Sequence, residues 1–104
     1  MIRLDIKPLS TNEAWQGRRF KTDKYKSFTR SMMLLLPQLK NVNTPAKLTV
    51  RFGFSSPLAD IDNPLKMLID SLATKYEFND RCIKELHVYS ELVPKGGEFI
   101  EFEF

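Results

Sequence analysis

The segment from Asp60 to Asp80, D-I-D-N-P-L-K-M-L-I-D-S-L-A-T-K-Y-E-F-N-D, constrains the fold of this chain most strongly. Apolar residues recur in it with the spacing of one helix face, at Leu65, Leu68, Ile69, Leu72 and Tyr76. Proline is tolerated at the first helical position, because the N–H that it lacks would have no intrahelical acceptor there. We therefore expect a helix that has Pro64 at its first position, is capped by Asn63 or Asp62, and ends near Tyr76.

The rest of the chain supplies strands and one more helix. Strands are predicted at Ile2–Lys7, Lys47–Phe54, about Cys82–Val93 and Phe99–Phe104, and a helix from Thr22 or Asp23 to near Leu36, before Pro37. A polar loop is expected over 10–19. The short turn at 94–97 predicts that the last two strands form a hairpin. The order β-α-β-α-β-β indicates an α+β fold, one domain over residues 1–104 with a mixed sheet of about four strands and two main helices.

Composition excludes some classes of protein. Apolar residues make up 42% of the 104 residues, so the chain is not of the disordered type. The longest apolar run, Met32 to Pro37, is far too short to cross a bilayer. No signal-peptide pattern is recognised, and the single cysteine, Cys82, excludes an internal disulfide and fits a reducing compartment. We expect a cytoplasmic protein without a membrane partner, in which Cys82 is a packed strand residue.

Three carboxylates and one ammonium group flank the predicted helix. Asp60 and Asp62 would point to the same side if their segment is extended, Lys66 follows one helical turn after Asp62, and Asp80 comes just before the next apolar run. Carboxylate oxygens together with phosphate oxygens are the ligands that Mg²⁺ prefers. The pattern therefore predicts a metal site at Asp60, Asp62 and Asp80 for phosphate chemistry. The alternative is that the acids are caps and turn residues and that Lys66 forms an ordinary surface ion pair with Asp70.

A basic segment precedes the first long helix. Residues 1–51 carry 11 Lys and Arg against 3 Asp and Glu, whereas residues 52–104 carry 5 against 10. Arg18, Arg19, Lys21 and Lys24 lie among Trp15, Phe20 and Tyr25, a composition that suits binding to a nucleic-acid backbone with stacking on bases. The alternative is that both charged halves are solvated faces and that Tyr25 belongs to the core.

At this point the residues resemble a known family. The pattern D-x-D-N-x-x-K-x-x-x-D-x-L, the following N-D, the later P-K-G-G turn and the opening K-P-L-S-x-N-x-x-W-x-G-R-R-F-K-T resemble the RusA family of Holliday junction resolvases, common in phages and prophages. The resemblance implies an Mg²⁺-dependent endodeoxyribonuclease of recombination and repair, in which Mn²⁺ substitutes. The family's catalytic acids would match Asp60, Asp62 and Asp80, and its essential lysine Lys66; a recurrent acid matches Asp70, whose role stays open.

The resemblance also implies partners. A homodimer would bind a four-way DNA junction and nick two strands, without a small-molecule cofactor, and a two-fold axis would give the junction two equivalent sites. Exposed apolar positions on a helix or an edge strand would serve as the dimer surface, and the acids Glu98, Glu101 and Glu103 are expected to face away from DNA. The alternatives are a non-catalytic DNA-binding module and a protein-interaction domain with an incidental basic face.

Overall fold

The described chain folds into two long helices, a main sheet of four strands and several short local elements. The computed structural model describes residues 1–16, 20–40, 42 and 44–104, with the side chains of Gln16 and Phe20 left aside. The elements are β1 (Ile2–Leu4), α1 (Thr11–Ala14), β2 (Trp15–Gln16), β3 (Phe20–Lys21), α2 (Asp23–Leu35), β4 (Lys47–Phe54), α3 (Leu65–Tyr76), a 3₁₀ helix (Asp80–Cys82), β5 (Glu85–Leu92) and β6 (Phe99–Glu103). None of the helices in these ranges is long and apolar enough to cross a membrane.

Four strands form one mixed sheet in the order β1-β6-β4-β5. Strand β4 runs parallel to β5 and antiparallel to β6, and β6 is also antiparallel to β1. The predicted α+β class with one mixed four-stranded sheet is confirmed. The bounds of β4 agree with the sequence pattern, because Leu48, Val50 and Phe52 alternate along it and are fully buried.

The predicted hairpin between the last two strands is wrong. Strand β4 lies between β5 and β6, and residues 93–98 pass across its end, where Val93 N–H donates to the Phe54 carbonyl at 2.7 Å. The difference in burial between β6 and β5 explains the order of the strands in the sheet. Phe99, Ile100 and Phe102 are inaccessible to solvent, which favours a strand with a neighbour on each side, whereas most of β5 is exposed and suits an edge.

The two long helices enclose the core with the sheet. Helix α2 begins after Thr22, whose hydroxyl accepts a hydrogen bond from Tyr25 N–H at 3.2 Å, and it ends at Leu35 before Pro37, as predicted. Its buried residues are Tyr25, Phe28 and Met32. In α3 the buried residues are Met67, Leu68, Ser71 and Leu72, whereas the predicted Leu65, Ile69 and Tyr76 are half-buried. The buried stripe of α3 is therefore rotated from the one that leucine spacing predicts.

The segment expected to be a polar loop contains local structure. Ser10 caps α1, and the strand after it pairs with β3, with Trp15 opposite Lys21. The indole of Trp15 packs edge-on against Tyr25, with ring centroids 5.4 Å apart. Trp15 and Tyr25 thus contribute to the packing of α2, as the core alternative proposed for Tyr25.

Candidate acidic site around helix α3

Asp60 and Asp62 lie in consecutive turns between β4 and α3, so the expectation of an extended segment is wrong. The backbone N–H of Asn63 donates to the Asp60 carbonyl at 3.3 Å, and its side-chain amide donates to the Asp60 carboxylate at the same distance. The Leu65 N–H donates to the Asp62 carbonyl at 3.2 Å. These hydrogen bonds fold the backbone at Asp60 and Asp62 into turns. The side chains here therefore do not alternate between two faces, as they would in a strand. Both carboxylates are exposed.

Helix α3 begins one residue later than predicted. Pro64 occupies the N-cap position without a side-chain cap, and Leu65 is the first helical residue. The Asn63 side chain is used by Asp60, and the Asn63 carbonyl accepts a hydrogen bond from Thr11 Oγ1 at 2.9 Å. This last bond fixes the acidic turn against α1.

Lys66 lies in the first turn of α3 and pairs with Asp70. Its Nζ atom is 3.5 Å from Asp70 Oδ1, and the lysine side chain is 62% exposed. The predicted pairing with Asp70 is confirmed. An exposed pair of this spacing is worth only a few tenths of a kcal/mol, so its main effect is to orient the ammonium group.

Asp80 follows α3 in the sequence and lies beside the middle of this helix. The helix ends in a left-handed turn at Glu77, with φ 55°, after which the Phe78 N–H donates to the Ala73 carbonyl. Asn79 then caps the 3₁₀ helix that contains Asp80. Asp80 lines an open groove of about 450 Å³ with Asp70, Lys21 and Tyr25. Burial raises the pKa of Tyr25, and the Asp70 carboxylate raises it further.

Among the cavities lined by the described residues, none contains all three acids predicted as ligands. Asp60 lines a cleft of about 240 Å³, Asp80 lines the groove beside Asp70, and Asp62 is absent from both linings. In the described ranges, no three His, Cys, Asp or Glu side chains lie close enough together to hold a metal ion. The donors are hard oxygens, and Mg²⁺ commonly binds through one or two carboxylates with water and phosphate oxygens. The described geometry thus fits an ion held by one or two of these acids, not a three-carboxylate cage.

The cleft beside Asp60 contains charged residues that the sequence did not single out as site residues. They are Lys7, Glu13 and Glu98. Glu98 reaches this cleft because β6 runs antiparallel to β4, with Phe99 opposite Gly53, so that the residue before Phe99 lies near the end of β4. Glu98 thus lies in the same cleft as Asp60, and the expectation that Glu98, Glu101 and Glu103 face away from DNA stays a prediction. Only the strand order could have revealed this position.

Glu98 joins the 94–98 turn to the end of β4. Its carboxylate accepts hydrogen bonds from the Ser55 hydroxyl and the Gly96 N–H, both at 2.8 Å. The pKa of Glu98 lies below its usual value of 4.5, first because of its own backbone N–H and then because of the Ser55 hydroxyl. The Gly96 N–H and the charge of Lys7 act in the same direction.

Replacing Glu98 with glutamine is expected to reduce stability only above the acid range. The pKa of Glu98 is lower in the folded protein than in the unfolded chain, where it is near 4.5. The charged carboxylate therefore stabilises the folded state above pH 4.5, and this stabilisation is lost as the pH falls through the folded-state pKa. Urea unfolding of wild type and Glu98→Gln at neutral pH and in acid measures the difference. The two proteins should converge in acid. A difference in the free energy of unfolding that is the same at both pH values would contradict the role of the carboxylate.

The predicted DNA-binding residues are only partly within the described ranges. Arg18 and Arg19 lie outside them. Lys21 is exposed on β3, with its Nζ atom 4.9 Å from the centre of the Tyr25 ring, and it lines the Asp80 groove. Lys24 is exposed in the first turn of α2. The structure thus brings one predicted DNA-binding lysine beside one predicted catalytic acid.

Cys82 is half-exposed in the 3₁₀ helix, so its predicted place in a strand is wrong. Asn79 caps the 3₁₀ helix over Asp80–Cys82, and the strand begins only at Glu85. The sequence of the chain matches no protein-family model, and no curated protein is significantly similar to it.

Proposed function

We propose that this protein is an Mg²⁺-dependent, structure-selective endodeoxyribonuclease that cleaves four-way DNA junctions, as its resemblance to the RusA family implies. The observation that carries the proposal is the exposure of the motif residues around one helix. Asp60, Asp62, Lys66 and Asp80 are all exposed, on the turns that flank α3 and on its first turn. A macromolecular substrate can contact exposed side chains such as these, whereas it could not contact a structural acid that is buried.

The placement of the side chains supports a role for each motif residue. Asp62, Lys66 and Asp70 follow one another at four-residue spacing, and Asp80 folds back beside Asp70. The Lys66 ammonium, oriented by Asp70, would bind the scissile phosphate as a compact positive charge. One or two of the acids Asp60, Asp62 and Asp80 would supply oxygens for Mg²⁺, which when bound neutralises charge on the phosphate and lowers the pKa of a water molecule. Lys21 and Lys24 would bind flanking phosphates.

A non-catalytic DNA-binding module is the second candidate. The separation of Asp60 and Asp80 into two cavities favours it, since acids that only shape turns need not converge. A gel with a labelled four-way junction distinguishes the two functions. With Mg²⁺ a nuclease produces nicks that EDTA abolishes, whereas a binding module shifts the band and leaves all strands intact. If the junction is not bound even at low salt, both are wrong and a protein-interaction domain is favoured.

Replacing Arg18 and Arg19 with alanine is expected to weaken junction binding and flatten its salt dependence. Each phosphate contact that is lost removes about 0.9 from the slope of log K against log salt, so two contacts would remove roughly 1.8. Binding titrations at several salt concentrations measure the slope. The matched control is Lys84→Ala with Lys95→Ala, which removes the same charge from the β5 side of the molecule. Equal slopes for wild type and the Arg18/Arg19 variant would place those arginines away from DNA.

A further inference from the structure

The loop between β4 and α3 exposes apolar side chains next to acidic ones. Residues 56–62, with the sequence S-P-L-A-D-I-D, are exposed without interruption. Within them Leu58 is 88% exposed and Ile61 is 41% exposed. Single exposed leucines are common on protein surfaces, so exposure alone indicates no function. The position of Leu58 is informative, because it lies two residues before Asp60, an acid of the proposed metal site.

The backbone around Leu58 is held in a turn. The Ser56 hydroxyl accepts a hydrogen bond from the Leu58 N–H at 3.2 Å, and the Ser56 carbonyl accepts one from the Ala59 N–H at 3.3 Å. Pro57, between them, has its φ angle fixed by its ring. A contact made from an ordered turn costs less conformational entropy than one made from an unstructured loop. The turn therefore presents the leucine side chain in a defined direction.

The turn forms a ridge between two concave surfaces. Phe54, Ser56 and Ala59 line both the Asp60 cleft and a shallow groove on the β5 side. Leu58 lines the Asp60 cleft. A substrate that brings a phosphate to Asp60 will therefore meet this leucine at the edge of the same cleft.

The charges around the ridge determine which part of a nucleic acid can contact it. The carboxylates of Glu13, Asp60 and Glu98 line the cleft together with the ammonium group of Lys7. Carboxylates repel phosphates that no cation bridges. The face of a base, in contrast, carries no charge and can pack against an apolar side chain. Leu58 is thus suited to contact a base and not the phosphate backbone.

We propose that Leu58 is a wedge that packs against base faces at the branch point of a four-way junction and so favours junctions over linear duplex. The inference rests on the proposed junction-cleaving function and adds a specificity-determining residue to it. Leucine is one of the apolar side chains that proteins insert between base steps, at the cost of unstacking them. Every internal base of a linear duplex is stacked on both faces, whereas the stack is interrupted at a branch point. The same insertion therefore costs less in a junction.

The fluorescence of 2-aminopurine tests this contact directly, because the base analogue emits more strongly when it is unstacked. The analogue is placed at the branch point of a junction, and EDTA keeps the strands intact. Saturating wild-type protein should raise the emission severalfold, and saturating Leu58→Ser should leave it near the value of free junction. The same analogue in the middle of one arm should change little with either protein. No rise with the bound wild type, or an equal rise with Leu58→Ser, would contradict the wedge.

Binding titrations measure its contribution to selectivity. Leu58→Ser should weaken junction binding about tenfold and leave duplex binding unchanged, whereas Leu58→Met, which stays apolar, should retain most of the affinity. The matched control is Leu34→Ser, which removes a leucine that is 83% exposed on α2 and should bind like wild type. Normal junction binding by Leu58→Ser, as expected if the loop docks on a protein instead, would overturn the wedge and leave the proposed nuclease in place. A wild type that binds no junction would overturn both.

Discussion

Asp62→Asn is expected to lower the rate of four-way junction cleavage on the order of a thousandfold while junction binding changes little. Asparagine has the shape of aspartate but lacks the charge that attracts a divalent cation. Asp62 is exposed, and its backbone carbonyl accepts the hydrogen bond from Leu65 N–H, so the substitution leaves the start of α3 intact. The loss should therefore appear in the chemical step.

Single-turnover cleavage and band-shift titration, done in parallel, measure the two effects. Asp5→Asn is the matched control, since this acid directly follows β1, with its side chain 90% exposed and its Oδ1 atom 3.6 Å from Arg3 Nε. Asp70→Asn distinguishes a ligand from a positioning residue. If Asp70 only orients Lys66, its loss should cost far less than that of Asp62. Cleavage by Asp62→Asn at the wild-type rate would show that this carboxylate does not act in catalysis.

The second large effect is expected in the core. Phe102→Ala should lower the free energy of unfolding by about 3–5 kcal/mol, because deleting a buried aromatic ring leaves a cavity. Phe102 is fully buried in β6, opposite Ile2 of β1 and Val50 of β4. Its ring also packs edge-to-face on Phe104, with centroids 5.6 Å apart.

Urea denaturation measures this loss. Phe102→Leu keeps most of the buried volume and should cost clearly less than alanine. Glu103→Ala, one residue further on and exposed, should stay within about 0.5 kcal/mol of wild type. If Phe102→Ala and Glu103→Ala destabilise the protein equally, β6 does not lie at the centre of the sheet.

Local signals in the sequence predicted individual elements well. The alternation of Leu48, Val50 and Phe52 identified β4, and Thr22 with Pro37 bounded α2. These features depend on residues within a few positions of each other. The fold class followed from the order of such elements.

Features that depend on distant residues were not predictable in the same way. The Gly-Gly turn favoured a hairpin, but the insertion of β6 between β1 and β4 depends on which strand buries most apolar surface. The hydrogen bonds of Asn63 to Asp60 replaced an expected extended segment with turns. The Asp60 cleft with Glu98 arises only from the antiparallel pairing of β4 and β6.

The most direct test of the central claim is to map the cuts on a four-way junction whose strands are labelled one at a time. With Mg²⁺, the wild-type protein should nick two opposing strands at symmetric positions near the branch point, and it should leave linear duplex of the same sequence intact. If all four strands remain whole while the junction is bound, or if linear duplex is cut equally well, the proposed junction-resolving activity is contradicted.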